Sequence, residues 1–76
     1  MWKQGTISIP GTGENYRYYA KVYETGSDYG IGEGCISKLE IRKDGQILYN
    51  YDRGLDFDSL DKGGKAAYQI ILEKYN

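Results

Sequence analysis

The chain has 76 residues, of which 39% are hydrophobic and only one is proline, so it is predicted to fold as a single domain spanning residues 1–76. Its formal net charge of −1 means that a charged partner must be recognised by a local patch and not by an overall field. There is no histidine and only one cysteine, so the usual zinc sites, an internal disulfide and an imidazole acid or base are excluded. We therefore expect a protein that is not an enzyme and has no cofactor and no metal site.

Alternation of polar and apolar residues predicts two strands in the first third of the chain. The first runs from Trp2 to Ile9 and the second from Tyr16 to Tyr23. In the second strand the more apolar face is expected to cover the core, and it consists of Tyr16, Tyr18, Ala20 and Val22. The glycine-rich segment from Glu24 to Gly34 is predicted to be an irregular loop, and loops of this length often carry function.

The segment from Ile36 to Tyr51 is predicted to form a hairpin around Lys43-Asp44-Gly45. A two-residue turn at Asp44-Gly45 would divide the large apolar residues between the two faces. A three-residue loop would place Ile41 opposite Ile47 and collect the large apolar residues, except Leu48, on one face. Because a slip of one residue moves a whole set of side chains to the other face, the three-residue loop is the predicted register.

The C-terminal segment predicts one helix from about Lys62 to Tyr75, after a connector from Asp52 to Asp61. Asp61 or Asp58 is expected to cap its first turn. At 3.6 residues per turn one face of the helix is apolar and must cover the sheet. This stripe consists of Gly64, Ala67, Tyr68, Ile71, Leu72 and Tyr75. The predicted fold is therefore α+β, a four-stranded, mainly antiparallel sheet with one C-terminal helix packed on one face.

Three patterns that resemble functional motifs are better explained by local structure. The segments Gly11–Asn15 and Gly30–Gly34 resemble phosphate loops, but neither opens a helix and each carries a glutamate that would repel phosphate. The aspartates between Asp52 and Asp61 do not fit a calcium loop, because Leu60 stands where an oxygen ligand is needed. Cys35 is most simply a small buried residue. No catalytic or metal-binding residue is assigned.

The first candidate binding site is the sheet face turned away from the helix. It combines basic groups with aromatic rings, which open sheets use to stack bases and to neutralise phosphates. The competing explanation is a solvated face, because a one-sided antiparallel sheet exposes polar residues on its outer side. The residues assigned to this site are Trp2, Arg17, Tyr19, Lys21, Tyr23, Lys38 and Arg42.

The second candidate site consists of Arg53 and Tyr29. The preferred interpretation of the segment Tyr51–Gly54 is a structural corner, in which Gly54 supplies a backbone conformation that other residues resist. Arg53 would then be bonded internally, to Asp56 or Asp58 or to carbonyls of the Gly30–Gly34 loop. In the alternative, Arg53 is a ligand-binding arginine held ready by Asp52.

A resemblance to a known family rests on residues spread over most of the chain. They are Trp2-Lys3, Ile9–Gly13, Gly34–Gly45, Asn50–Asp56, Ala66-Ala67 and Ile70–Asn76. In these residues the chain resembles a family of small uncharacterised proteins from Firmicutes and their phages and prophages, with the signature Tyr-Asp-Arg-Gly. The signature is not a known catalytic motif. The resemblance implies a phage-borne or bacterial cytosolic protein, a class in which inhibitors and sequestering proteins directed at host immunity are frequent.

The expected function is that of a small non-enzymatic binding protein of the phage anti-defence type. It would sequester or block a host immune effector or the nucleotide signal that activates it, so its partner is a host protein or a nucleotide-type small molecule. The alternative function is a single-stranded nucleic-acid-binding module that uses the outer sheet face. We expect no membrane partner and a location in the cytoplasm of the bacterial host cell, and the sequence leaves a homo-oligomer open.

Overall fold

The computed structural model describes residues 1–76 and contains a five-stranded antiparallel sheet with one helix on one face. The strands lie side by side in chain order. They are β1 (Trp2–Ile9), β2 (Glu14–Val22), β3 (Ile36–Lys43), β4 (Gln46–Asp52) and β5 (Leu55–Asp58), and the helix is α1 (Lys62–Tyr75). A short 3-10 turn at Ile31–Glu33 lies in the loop between β2 and β3. The α+β class and the C-terminal helix are confirmed, but the prediction of four strands is wrong.

The fifth strand lies in the segment that was predicted to be a connector. β5 pairs with β4, with Asn50 opposite Phe57 and Tyr51 opposite Leu55. All four residues of β5 are exposed, because it forms an edge of the sheet and α1 does not cover it. The sequence Leu-Asp-Phe-Asp does alternate, but a short run that carries two carboxylates has a weak strand signal.

The turn between β3 and β4 has two residues and not the predicted three. Asp44 and Gly45 both have positive φ, 52° and 79°, and Lys43 pairs with Gln46 on either side of them. Two consecutive residues with positive φ give the mirror-image turn whose twist matches that of the strands. The turn prediction is therefore wrong.

The same hairpin contains a β-bulge, which changes the residues of β4 that face the core. The register shifts between Ile41 and Arg42, so that Ile41 lies opposite Tyr49. Tyr49 is therefore buried, as predicted, whereas Ile47 remains 40% exposed. Leu48 is partly buried and packs against the core. The predicted positions of Ile47 and Leu48 are wrong because the extra residue of a bulge shifts the alternation of faces.

The core lies between the sheet and α1 and confirms the predicted apolar faces of β2 and of the helix. Its buried residues are Tyr16, Tyr18, Ala20, Ile31, Ile36, Leu39, Ile41, Tyr49, Ala67 and Ile71. Full burial of an aliphatic side chain such as Ile71 contributes roughly 1.5–3 kcal/mol. Across the core, the hydroxyl oxygens of Tyr18 and Tyr75 lie 2.8 Å apart.

The helix begins where the sequence predicts. Asp61 is the N-cap, and its Oδ1 accepts a hydrogen bond from the Gly64 backbone N–H at 2.7 Å. A Cβ at Gly63 would collide with the Tyr16 hydroxyl, so the unfavourable glycine in the first turn allows close approach of the helix to β2. No helix of the structure is long and apolar enough to span a membrane.

Candidate functional site

A pocket of about 600 Å³ opens at the end of the sheet where β2 ends and β3 begins. This volume lies within the range of small-molecule sites, about 300–1,000 Å³. Three basic side chains, two phenol rings and three aliphatic hydroxyls line it, and no carboxylate does. The lining residues are Lys21, Tyr23, Thr25, Ser27, Tyr29, Ser37, Lys38 and Arg53.

A β-bulge between β2 and β3 forms one wall of the pocket. Lys21 pairs with Lys38, but the next pair is Val22 with Ile36, so Ser37 is the extra residue. Ser37 is only 4% exposed, yet its hydroxyl makes no hydrogen bond within the chain; its carbonyl accepts one from a backbone N–H. Because Ser37 lines the pocket, this hydroxyl can bond to an occupant of the pocket.

The pairing of Lys21 with Lys38 also places two positive charges directly opposite each other on neighbouring strands. Like charges in such a pair are destabilising. The Lys21 ammonium lies over the rings of Trp2 and Tyr23, at 5.9 and 5.5 Å from their centroids, which offsets part of this repulsion. An anion bound between the two lysines would offset the remaining repulsion between their charges.

The opposite wall is formed by the loop between β2 and β3, which is held from behind. The Tyr51 hydroxyl donates to the Tyr29 carbonyl at 2.9 Å. The Asn76 side chain donates to the Ile31 carbonyl and accepts from the Ile36 N–H, both at 2.9 Å. These bonds connect the loop to β4 and to the end of α1, so the wall is fixed without a ligand.

Glycines allow this loop to fold back on itself. A Cβ at Gly30 would collide with the carbonyl of Gly34, and one at Gly26 would collide with the carbonyl of Glu33. The segment Gly30–Gly34 contains a 3-10 turn and does not open an α-helix. Its glycines therefore serve the close packing of backbone on backbone.

The backbone at Arg53 corrects the predicted corner. Arg53 itself has the positive φ, 57°, whereas Gly54 does not. The Arg53 N–H donates to the Ser37 carbonyl at 2.8 Å, which fixes the turn against the bulge. A left-handed conformation costs a residue with a Cβ roughly 1–2 kcal/mol, and such strain is concentrated at functional sites. The prediction that Gly54 supplies the unusual conformation is wrong.

The Arg53 side chain is not bonded as the corner hypothesis requires. It is 66% exposed, and its one charged neighbour is Asp52, with Nε 3.6 Å from Oδ1. It makes no bond to Asp56, to Asp58 or to carbonyls of the loop, so that prediction is wrong. The guanidinium instead lies at the pocket, with Asp52 beside it.

The charges around the pocket are unbalanced. Lys38 Nζ lies 3.7 Å from Asp52 Oδ1, the same oxygen that faces Arg53. Lys38 and Arg53 thus share one carboxylate, and Lys21 makes no ion pair. A separate depression of about 190 Å³ on the outer face includes two carboxylates, Glu40 and Asp52, in its lining, which makes it less suited to an anion.

The structure brings residues of both candidate sites into this one pocket. Lys21, Tyr23 and Lys38 come from the first site, and Tyr29 and Arg53 come from the second. Trp2 adjoins the pocket through Lys21.

Three residues of the first candidate site lie elsewhere on the outer face. The Arg17 guanidinium covers the Tyr19 ring at 5.8 Å, and Arg42 pairs with Glu40 at 3.1 Å. Sequence reasoning missed Thr25 and Ser27, for which the only signal was the length of the loop, and Ser37, which lies at the bulge in β3.

A second cluster of titratable groups lies at the other end of the sheet, where β2 begins. The Tyr16 hydroxyl lies 2.7 Å from Glu14 Oε2 and 2.8 Å from Asp61 Oδ1. Lys43 Nζ bridges the same two carboxylates, at 3.1 Å from each. Each charge is therefore paired within the chain. We call these four residues the closed cluster.

The pKa shifts in the closed cluster follow from these bonds. Hydrogen bonding to Tyr16 and to Lys43 lowers the pKa of Glu14. The pKa of Asp61 is lowered by its bond to Tyr16 and by the Gly64 N–H. Burial, followed by the two carboxylates, raises the pKa of Tyr16. The cluster fixes the start of α1 against β2 and β3.

Comparison with known families gives one match. A family model described as a domain of unknown function (DUF7678) matches residues 1–76, which include all five strands and α1. No curated protein and no solved structure matches the chain. The match agrees with the resemblance to a small family to which no activity is attached.

Proposed function

We propose a function for this chain, which belongs to the DUF7678 family, on the basis of its pocket: it is a non-enzymatic protein that binds and sequesters a nucleotide-type small molecule. One observation carries the proposal. The pocket lining combines three cations, two phenol rings and three hydroxyls without a carboxylate. Anionic, ring-containing ligands with hydroxyl groups are the class that this combination suits.

Each part of the lining matches a part of a nucleotide. Lys38 and Arg53 would bind a phosphate, for which the planar guanidinium supplies paired donors. The rings of Tyr23 and Tyr29 offer apolar faces to a base. The hydroxyls of the loop and of the bulge would bond to ribose or phosphate oxygens.

The biological role that we propose is interference with host defence. The resemblance to small proteins of phages and their bacterial hosts favours withdrawal of a nucleotide signal from a host immune effector. A protein that only binds its ligand would act by stoichiometric capture. Direct blocking of the effector protein is the other form of this role, and it needs a surface patch but no nucleotide.

A nucleotide panel tests the pocket. The wild-type chain is titrated with AMP, 3′,5′-cyclic AMP and cyclic di-AMP, with adenosine as the uncharged control, in thermal-shift and calorimetric assays. A ligand at a hundred times its Kd should add ~2.7 kcal/mol to the free energy of unfolding. Stabilisation by none of the three nucleotides would contradict the proposal.

Two substitutions locate the binding. Lys38→Gln and Arg53→Gln should each weaken nucleotide binding without lowering the Tm of the free protein. Lys62→Gln is the matched control, because it removes the same charge from an exposed residue of α1 away from the pocket. Equal losses in Lys62→Gln would mean that only net charge matters.

A phage-plating assay tests the biological role. Expression in a host whose defence uses a nucleotide signal should raise phage plating efficiency, and Arg53→Gln should remove the gain. Recovery of a host protein with wild-type and Arg53→Gln chains alike would favour direct blocking.

A second candidate function is the binding of single-stranded nucleic acid on the outer face. The specific observation is the stacked pair of Arg17 and Tyr19, beside Arg42 across β2 and β3. This function predicts a weak, salt-sensitive affinity for single-stranded nucleic acid. The affinity should be lost in Arg17→Glu, reduced in Tyr19→Ala and unchanged in Arg53→Gln. A gel-shift assay at low salt that shows no retardation would remove this candidate.

A further inference from the structure

Asp52 lies beside the pocket, because it lines the neighbouring depression on the outer face and contacts two cations of the pocket lining. It ends β4, and its Oδ1 faces both Lys38 Nζ at 3.7 Å and Arg53 Nε at 3.6 Å. Both distances exceed the roughly 3.2 Å limit of an ordinary hydrogen bond. The Asp52 side chain is 45% exposed. The carboxylate is therefore held loosely between two cations and has open solvent into which it can turn.

The same two cations are the ones that a phosphate in the pocket would use. A carboxylate and a phosphate that approach the same cations repel each other, and this repulsion is strong at short range near a protein surface. A bound phosphate must therefore displace Asp52 from Lys38 and Arg53 or bind in spite of its charge. In either case Asp52 lowers the affinity for anions.

The number of charges sets which anions can overcome this competition. With Asp52 in place, the three cations leave an excess of two positive charges. A phosphomonoester carries close to two negative charges at neutral pH, since its second pKa is about 6. A phosphodiester carries one for each phosphate. The monoester dianion matches the excess, and a single diester does not.

Ser37 supplies a third contact for such a group. Its hydroxyl lines the pocket and makes no hydrogen bond within the chain, and its carbonyl accepts the Arg53 N–H. The Ser37–Arg53 bond joins this hydroxyl to the arginine that faces Asp52. A phosphoryl oxygen near Arg53 is therefore well placed to accept the Ser37 O–H.

We propose that Asp52 is an intramolecular competitor that pairs with Lys38 and Arg53 in the free protein and restricts the pocket to ligands with a phosphomonoester dianion. This inference rests on the proposed function of the pocket and names the ligand class that the pocket selects. Asp52 tunes specificity through Lys38 and Arg53, and the Ser37 hydroxyl binds the phosphoryl group that takes its place.

The test compares the affinities of three adenine ligands for Asp52→Asn and wild type by calorimetry. Asp52→Asn removes the charge and keeps the shape, so affinity for AMP should rise about tenfold. Affinity for 3′,5′-cyclic AMP, a monoanion, should rise by a smaller factor, and that for adenosine should not change. Asp56→Asn, an exposed β5 aspartate that faces neither cation, is the matched control. Ser37→Ala should weaken AMP binding several-fold and leave adenosine unaffected.

The outcomes separate this inference from the proposed function. AMP binding by the wild type with no gain in Asp52→Asn would overturn only the competitor role, as would an equal gain for cyclic AMP. A loss of AMP affinity in Asp52→Asn would also overturn the competitor role, because it would show that Asp52 positions Arg53 for the ligand instead of competing with the ligand. Absence of AMP and cyclic AMP binding in both wild type and Asp52→Asn would overturn the inference and nucleotide binding together.

Discussion

The two ends of the sheet carry similar side chains with opposite arrangements. At the closed cluster one lysine, Lys43, meets two carboxylates at 3.1 Å each, and a tyrosine hydroxyl bonds to the same pair. At the pocket, Lys38 and Arg53 share the carboxylate of Asp52 at 3.7 and 3.6 Å, and Lys21 makes no ion pair. Charges are satisfied at one end and unsatisfied at the other.

We interpret the paired charges of the closed cluster as structural and the unbalanced charges of the pocket as a binding site. The closed cluster bonds the N-cap of α1 to β2 and β3, so its loss should reduce stability. The pocket retains paired lysines and a left-handed Arg53, both of which cost stability. In the proposed function a bound ligand compensates for these features, so changes at the pocket should affect binding.

The largest expected effect is at Arg53. Arg53→Gly relieves the left-handed strain, so the Tm should stay constant or rise, while nucleotide affinity should fall about 10- to 100-fold with the loss of charge-assisted bonds. Thermal melts and calorimetry on the same samples measure both. A lower Tm with unchanged affinity would restore the structural corner as the role of Arg53.

A matched pair of aspartates should separate the two ends by stability. Asp61→Ala removes the N-cap and one partner each of Tyr16 and Lys43, and should lower the free energy of unfolding by about 1–2 kcal/mol. Asp52→Ala should change it by less than about 0.5 kcal/mol, because its ion pairs are long and exposed. Urea denaturation measures both. Equal losses would contradict the comparison.

Acidification should weaken the protein through the closed cluster. The folded-state pKa values of Glu14 and Asp61 lie below their ordinary values of 4.5 and 3.8. Their contribution is therefore complete above about pH 5 and is lost as the pH falls through the lowered folded values. Urea denaturation between pH 2 and 6 should show this loss, and Tyr16→Phe should reduce it. Stability that rises on acidification would contradict the assignment.

Alkaline pH should weaken the core at the Tyr18–Tyr75 contact. Burial and the hydrogen bond to Tyr75 raise the pKa of Tyr18 from 10.0 to about 12. The folded protein thus keeps a proton that the unfolded chain releases, so stability is complete below pH 10 and falls as the pH rises towards 12. The loss should be smaller in Tyr18→Phe. An unchanged alkaline profile in that variant would exclude Tyr18 as its source.

The smallest expected effect is that of salt. Raising the salt concentration from about 0.05 to 0.5 M should weaken AMP binding several-fold, because the pocket is open and its charges are screened. The free energy of unfolding should change by less than about 0.5 kcal/mol. AMP affinity that is independent of salt would contradict an electrostatic site.

Periodicity predicted those parts of the fold that have a continuous pattern. The apolar stripe of α1 and its Asp61 cap were correct because the period and the capping residue are local signals. β5 was missed because it is a short, exposed edge strand. The predicted hairpin register was wrong because a β-bulge shifts the alternation of side chains after a two-residue turn. A bulge has no sequence signal of its own.

Part of the candidate site could be predicted and part could not. Basic and aromatic residues identified Lys21, Tyr23, Lys38, Tyr29 and Arg53, but as two separate sites. Their meeting depends on the bulge at Ser37 and on the fold of the loop, which are tertiary features. Ser37 itself is identified only by its place at the bulge and in the pocket lining.

An NMR titration tests the central claim most directly. AMP, 3′,5′-cyclic AMP and cyclic di-AMP are added in turn to the ¹⁵N-labelled chain, and amide shifts are followed at both ends of the sheet. The account predicts shifts at Lys21, Ser37, Lys38 and Arg53 and in the loop from Glu24 to Gly34, with none at the closed cluster. Shifts confined to the closed cluster or to Arg17 and Arg42, or none with any nucleotide, would contradict it.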